Sequence, residues 1–181
     1  MEGVRLTISL IIAVILQWTL RNVWDGFAYI DFPLIIVVYA ALQRNSIRAI
    51  LFGTISGVAV DALSGGLLGA NGFAKTIVAF AVSELARRVY MDNLLLRIPV
   101  IAGACLLNNM IFYGLHRLFG QPPVGDILVI ASYSLIGTTV AGTLVYLILQ
   151  SFSVDKVKRK KREMFTPRRQ TRRRNPIRLN K

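Results

Sequence analysis

Asp61 and Lys75 are the two residues in the middle of this apolar chain whose types could do chemistry. They bracket the stretch DALSGGLLGANGFAK, which sets a carboxylate, four glycines and an ammonium between long hydrophobic segments. A charge inside a membrane is costly and marks either a functional site or a packing constraint. Asp61 stands four residues before the Gly65-Gly66 pair that closes its helix, about 6 Å from that end at the helical rise per residue. Lys75, in the first turn of the next helix, is its natural partner. Two readings stay open: a polar site facing an outer cavity, or an ion pair or cap tying two helices and their glycine-rich turn together. Asn108, followed by Asn109, adds an amide near the middle of a later segment. Such an amide serves as interhelical glue worth about 0.6 kcal/mol or as a ligand contact.

The inventory for catalysis is poor. A metal site needs several converging His, Cys or carboxylate ligands, and the chain has one His and one Cys. There is no phosphate-cradling G-x-x-x-x-G-K-[ST] and no G-x-S-x-G, and the internal carboxylates form no acid and base pair. No catalytic, cofactor-binding or metal-binding residue is expected. The lone Cys105 forms no intrachain disulfide and reads as a small buried hydrophobe.

The elements that position these residues are membrane helices. Of 181 residues 54% are hydrophobic, which places the chain among all-α integral membrane proteins. Six apolar segments of roughly spanning length lie near 4–22, 27–43, 47–67, 72–90, 94–118 and 127–150. The first lacks a small-residue cleavage site after its apolar core and reads as a retained anchor. The second is the weakest, because Asp31 and Pro33 suit a helix start and shorten it. Residues 1–154 thus form a six-helix transmembrane domain. Trp18, Trp24 and Tyr29 fit an interfacial belt, and the Pro-Gly stretch from Gln121 to Asp126 is a turn.

In the third segment Gly53, Gly57, Asp61, Gly65 and Gly69 recur every four residues, with Gly66 beside them. That stripe is a close-packing seam for another helix or a partner. Ser134, Thr138 and Gly142 repeat the spacing in the sixth segment, with hydroxyls able to bond carbonyls of their own helix. Residues 155–181 hold 13 Lys and Arg against Asp155 and Glu163, together with two prolines, and are expected to be a disordered basic tail. Its clusters Lys158, Arg159, Lys160, Lys161, Arg162 and Arg172, Arg173, Arg174 suit anionic lipid or an acidic partner, with no specific nucleic acid expected. Because Lys and Arg collect on the cytoplasmic side, both termini are expected in the cytoplasm.

The order of these pieces resembles the MreD family of rod shape-determining membrane proteins. The likeness runs over residues 5–150 and is carried by the proline-started FPLIIVVYAALQRNS and the glycine-rich GTISGVAVDALSGGLLGANGF. Its most specific piece is G-x-x-x-D-x-L-S-G-G-x-L-G from Gly57 to Gly69. The resemblance implies a noncatalytic part of the bacterial cell-elongation machinery in the inner membrane. Such proteins act with MreC, the MreB filament, RodA and its penicillin-binding transpeptidase in peptidoglycan synthesis. It also implies a bundle similar to the S-components of ECF vitamin transporters. That likeness supplies the alternative function, substrate binding near Asp61, Lys75 and Asn108. The basic tail goes beyond the family's usual end, so nothing from the family is carried onto it.

Overall fold

The computed structural model describes residues 2–23, 25–89, 94–120 and 126–164. Expectations for Trp24, for the turn at 121–125 and for Arg172, Arg173 and Arg174 lie outside the described residues. The architecture is all-α among the described residues, as expected. Its helices are α1 (Glu2–Val23), α2 (Phe32–Ala41), α3 (Ser46–Ser64), α4 (Ala70–Arg88), α5 (Leu94–Leu118) and α6 (Ile127–Met164), with a 3-10 helix at Asp25–Tyr29. The chain divides into two units, Met1–Tyr146 and Leu147–Lys181.

Four segments are long and apolar enough to cross a membrane: Gly3–Val23, Ser46–Ser64, Leu96–Leu118 and Leu128–Val145. Their outer faces carry exposed Ile11, Ile15, Leu51, Ile55, Met110, Ile136 and Val140. Bulky apolar residues facing outward on several helices are what a lipid-contacting surface needs. α4 has 19 residues but carries Lys75, Glu84, Arg87 and Arg88.

The short second segment is the core of the bundle. α2 has ten residues, about 15 Å of helix, and packs against α1, α3, α4 and α5. Leu34, Val37 and Ala41 are fully buried, so its apolar character on every side is met by protein. Asp31 caps its start, accepting a hydrogen bond from Leu34 N at 2.9 Å, and Pro33 sits in the first turn, where its missing N–H costs nothing.

Contacts between helices fix their directions. Arg21 near the end of α1 meets Ser64 at the end of α3, so these two run parallel and α2 returns the chain between them. α3 and α4 form an antiparallel hairpin, joined by Ser46–Ser83 and Thr54–Thr76 hydroxyl bonds, each 2.8 Å. α5 and α6 are antiparallel, since Cys105 lies by Ser134, while a Cβ on Gly142 would lie 3.0 Å from Ile101. Within the first unit the helices therefore alternate in direction.

α6 continues to Met164, ten residues into the stretch expected to be disordered from Asp155. Lys, Arg and Glu are good helix formers, and the first proline after the span is Pro167. Lys158 to Arg162 fall on this helical stretch; residues 165–181 lie outside the described residues.

Candidate functional site

The polar residues of the first unit meet where α2 and α4 begin. α3 ends at Gly65, whose φ of 65° closes the helix through its N–H to the Asp61 carbonyl at 3.2 Å. Gly69, with φ 94°, occupies the cap position of α4 and has no side chain to cap with. Asp61 does that work from the neighbouring helix. Its Oδ2 accepts from Gly69 N at 2.9 Å and Gly72 N at 3.2 Å, while Oδ1 accepts from Asn71 N at 3.2 Å and Asn71 Nδ2 at 2.8 Å. The free N–H groups at a helix start carry partial positive charge. A carboxylate only 2% exposed is thereby fully hydrogen-bonded, as a buried charge requires.

Lys75 lies one turn further along α4 with no exposed surface, and its partner is not Asp61. Its Nζ sits 2.6 Å from Asp31 Oδ2 and 3.1 Å from Asn71 Oδ1. The Asp61–Lys75 pairing expected from proximity in sequence is thus replaced by two linked contacts. The first-turn N–H groups occupy Asp61, while the long lysine side chain reaches across to the cap of α2. Asn71 bridges the two sites, donating to Asp61 and accepting from Lys75.

Two more helices join through backbone groups that the start of α2 leaves free. Asp31 N donates to Thr138 Oγ1 of α6 at 3.2 Å, and Phe32 N donates to Gln17 Oε1 of α1 at 3.0 Å. One continuous polar cluster therefore links α1, α2, α3, α4 and α6. Gln17, Asn71 and Thr138 were missed as site residues. Asn71 had a signal, since it stands one helical turn before Lys75; the other two meet the cluster only through folding.

The remaining expected residues separate into distinct roles. An added Cβ on Gly53 would lie 2.7 Å from the Lys75 carbonyl oxygen, and one on Gly57 would overlap the backbone of Asn71 and Gly72. These two glycines form the seam with α4. Gly65, Gly66 and Gly69 have open space around an added Cβ, so they belong to the turn and not to the seam. Asn108 is buried on α5 at 4% exposure, and its Oδ1 has no hydrogen-bond partner among the described residues. His116 bonds the Phe112 carbonyl of its own helix at 3.0 Å. Glu84 pairs with Arg87 and Arg88 at the other end of α4, at 3.8 and 3.2 Å. Among the described residues no three His, Cys, Asp or Glu side chains gather as metal ligands would.

Helices with lipid-suited faces, and buried charges that join them, define a multi-helix membrane protein. The sequence matches the family described as rod shape-determining protein MreD over residues 2–154, and the chain belongs to that family. No curated protein and no solved structure matches it.

Proposed function

We propose that this chain is a noncatalytic scaffold of the cell-elongation machinery in the bacterial inner membrane. On this reading it binds MreC and, with MreB, RodA and the elongation transpeptidase, couples peptidoglycan synthesis to the filament. Membership in a shape-determining family supports the broad role. One observation carries the scaffold reading: Asp61, Asn71 and Lys75 have their hydrogen-bonding groups engaged within the protein. Groups engaged in this way hold helices in fixed register, and a fixed helical surface is what a partner's membrane helix needs to dock. The basic residues after Asp155 add attraction for anionic lipid of about 1 kcal/mol each when near the surface.

The test uses the full chain purified in mild detergent, with co-purifying proteins and small molecules identified by mass spectrometry. Recovery of MreC together with wall-synthesis proteins supports the scaffold; a stoichiometric vitamin with an ATPase module overturns it in favour of a transporter subunit. Asp61→Ala removes the acceptor for three backbone N–H groups and is expected to lower stability by about 2 kcal/mol. Reduced MreC recovery and rounded cells are expected with it. Asp61→Asn, which keeps one acceptor oxygen, falls between. Normal recovery and normal rods with Asp61→Ala would sink the proposed role.

A further inference from the structure

The outer face of the α3–α4 hairpin sets a pair of hydroxyls among apolar side chains. Leu51 and Ile55 on α3 and Phe73 and Phe80 on α4 are each at least half exposed. By helical spacing Thr54 shares the face of Leu51, and Thr76 that of Phe73 and Phe80. Thr54 is exposed and Thr76 half-buried. Thr54 is the ninth of 19 residues in α3 and Thr76 the seventh of 19 in α4, so both stand away from the helix ends. The close approach at Gly53 and Gly57, where an added Cβ would meet the α4 backbone, brings the two threonines onto one continuous surface.

A single threonine on a membrane helix needs no partner, because its hydroxyl bonds a carbonyl of its own turn. Both threonines do so: Thr54 Oγ1 donates to the Ile50 carbonyl at 3.0 Å and Thr76 Oγ1 to the Gly72 carbonyl at 2.6 Å. Their two oxygens also lie 2.8 Å apart. A hydroxyl has one proton and two lone pairs, so three contacts share two protons and the pair has none to spare. What it has in surplus is acceptor capacity, on a face where lipid tails offer no donor. A second copy docked about a twofold axis would set one donor-poor pair against another. A different helix with a hydroxyl or amide at mid-depth supplies the missing proton, while its apolar residues one turn to either side meet Leu51, Ile55, Phe73 and Phe80.

We infer that this face docks the membrane helix of a partner, an apolar helix whose hydroxyl or amide side chain donates to the Thr54–Thr76 pair. The inference rests on the scaffold reading and gives that reading its surface.

The test co-expresses the full chain with MreC and places photoreactive benzoylphenylalanine at Ile55 or Phe80, or at Met110 or Ile136, which are exposed on α5 and α6. Irradiated membranes are expected to give adducts with the membrane helix of MreC from the first two positions and lipid adducts from the other two. Thr54→Val combined with Thr76→Val keeps the shape of the face and removes both hydroxyls. It is expected to lower the adduct about threefold, the worth of one interhelical hydrogen bond in a membrane. Thr54→Phe, a bulky group at an exposed position, is expected to lower it about tenfold by overfilling the contact. Ser46→Ala is the control for stability. It removes the hairpin's Ser46–Ser83 contact of 2.8 Å, where Ser83 has no exposed surface, and is expected to leave the adduct unchanged. An equal drop in Ser46→Ala and in the valine pair would make the threonines mere struts of the hairpin and overturn the inference. Adducts with MreC from Met110 or Ile136 in place of Ile55 and Phe80 overturn it too, as do crosslinks from Ile55 to a second copy of the chain. Wild type that recovers MreC without an adduct at this face sinks the docking assignment alone, whereas wild type that recovers no MreC sinks the scaffold reading with it.

Discussion

A lysine with no exposed surface is tolerable only where its charge is met, and Lys75 meets one oxygen of Asp31 at 2.6 Å. The two partners are not equivalent: the Asp31 side chain is 21% exposed and that of Lys75 is not exposed at all. Removing the carboxylate strands a buried cation. Removing the cation leaves a carboxylate that reaches the surface and still caps α2 through Leu34. Breaking a buried pair costs about 3–5 kcal/mol. Asp31→Asn is expected within that range, with Lys75→Met milder by about 1 kcal/mol, as one partner then keeps its hydration. Unfolding of both variants in the same detergent measures the order, and a reversed order would refute the assigned asymmetry. The cap at Asp31 was legible in the sequence because Asp-Phe-Pro is a helix start by local chemistry. Its pairing with Lys75 was not. Asp61 is nearer in sequence and equally charged, and only the fold shows that α4's own N–H groups occupy it first.

At the scale of elements, glycines of identical type in one stripe answer to different constraints. Gly57 faces the backbone of Asn71 and Gly72 with no flexible side chain to yield, whereas Gly66 faces open space. Gly57→Ala forces α3 and α4 apart and is expected to cost about 3 kcal/mol, at the upper end of overpacking. Gly66→Ala is expected within about 0.5 kcal/mol of wild type. Thermal midpoints of the two variants provide the check; a harmless Gly57→Ala would mean that the hairpin packs more loosely than these contacts require. A spacing of four predicted one seam, but helix α3 stops at Ser64. Beyond that point periodicity no longer assigns a face. The four long apolar helices were legible from hydropathy. The burial of α2 was not, because an apolar run reads the same whether lipid or other helices surround it.

For the whole molecule, the alternation of helix directions turns the short α2 from a doubtful span into a determinant of topology. Arg21 meeting Ser64 requires the chain to travel back between α1 and α3, and among the described residues the α-helix between them is α2, shielded by its neighbours instead of by its own length. Backbone groups too short a run to cross lipid alone are acceptable when protein surrounds them. With α3 and α4 a hairpin and α5 and α6 antiparallel, the start of α1 and the end of the Leu128–Val145 segment fall on one side. By the positive-inside rule, the excess of Lys and Arg near those ends leads us to expect that side in the cytoplasm. In a Cys105→Ser background, Gly3→Cys and Ser153→Cys are therefore both expected to resist a membrane-impermeant maleimide in spheroplasts and to react once the membrane is opened. Labelling of one without the other would mean that α2 does not return the chain across the membrane. Labelling of both in intact spheroplasts would keep the helix order and invert the protein, placing the basic stretch outside and removing it from any cytoplasmic filament.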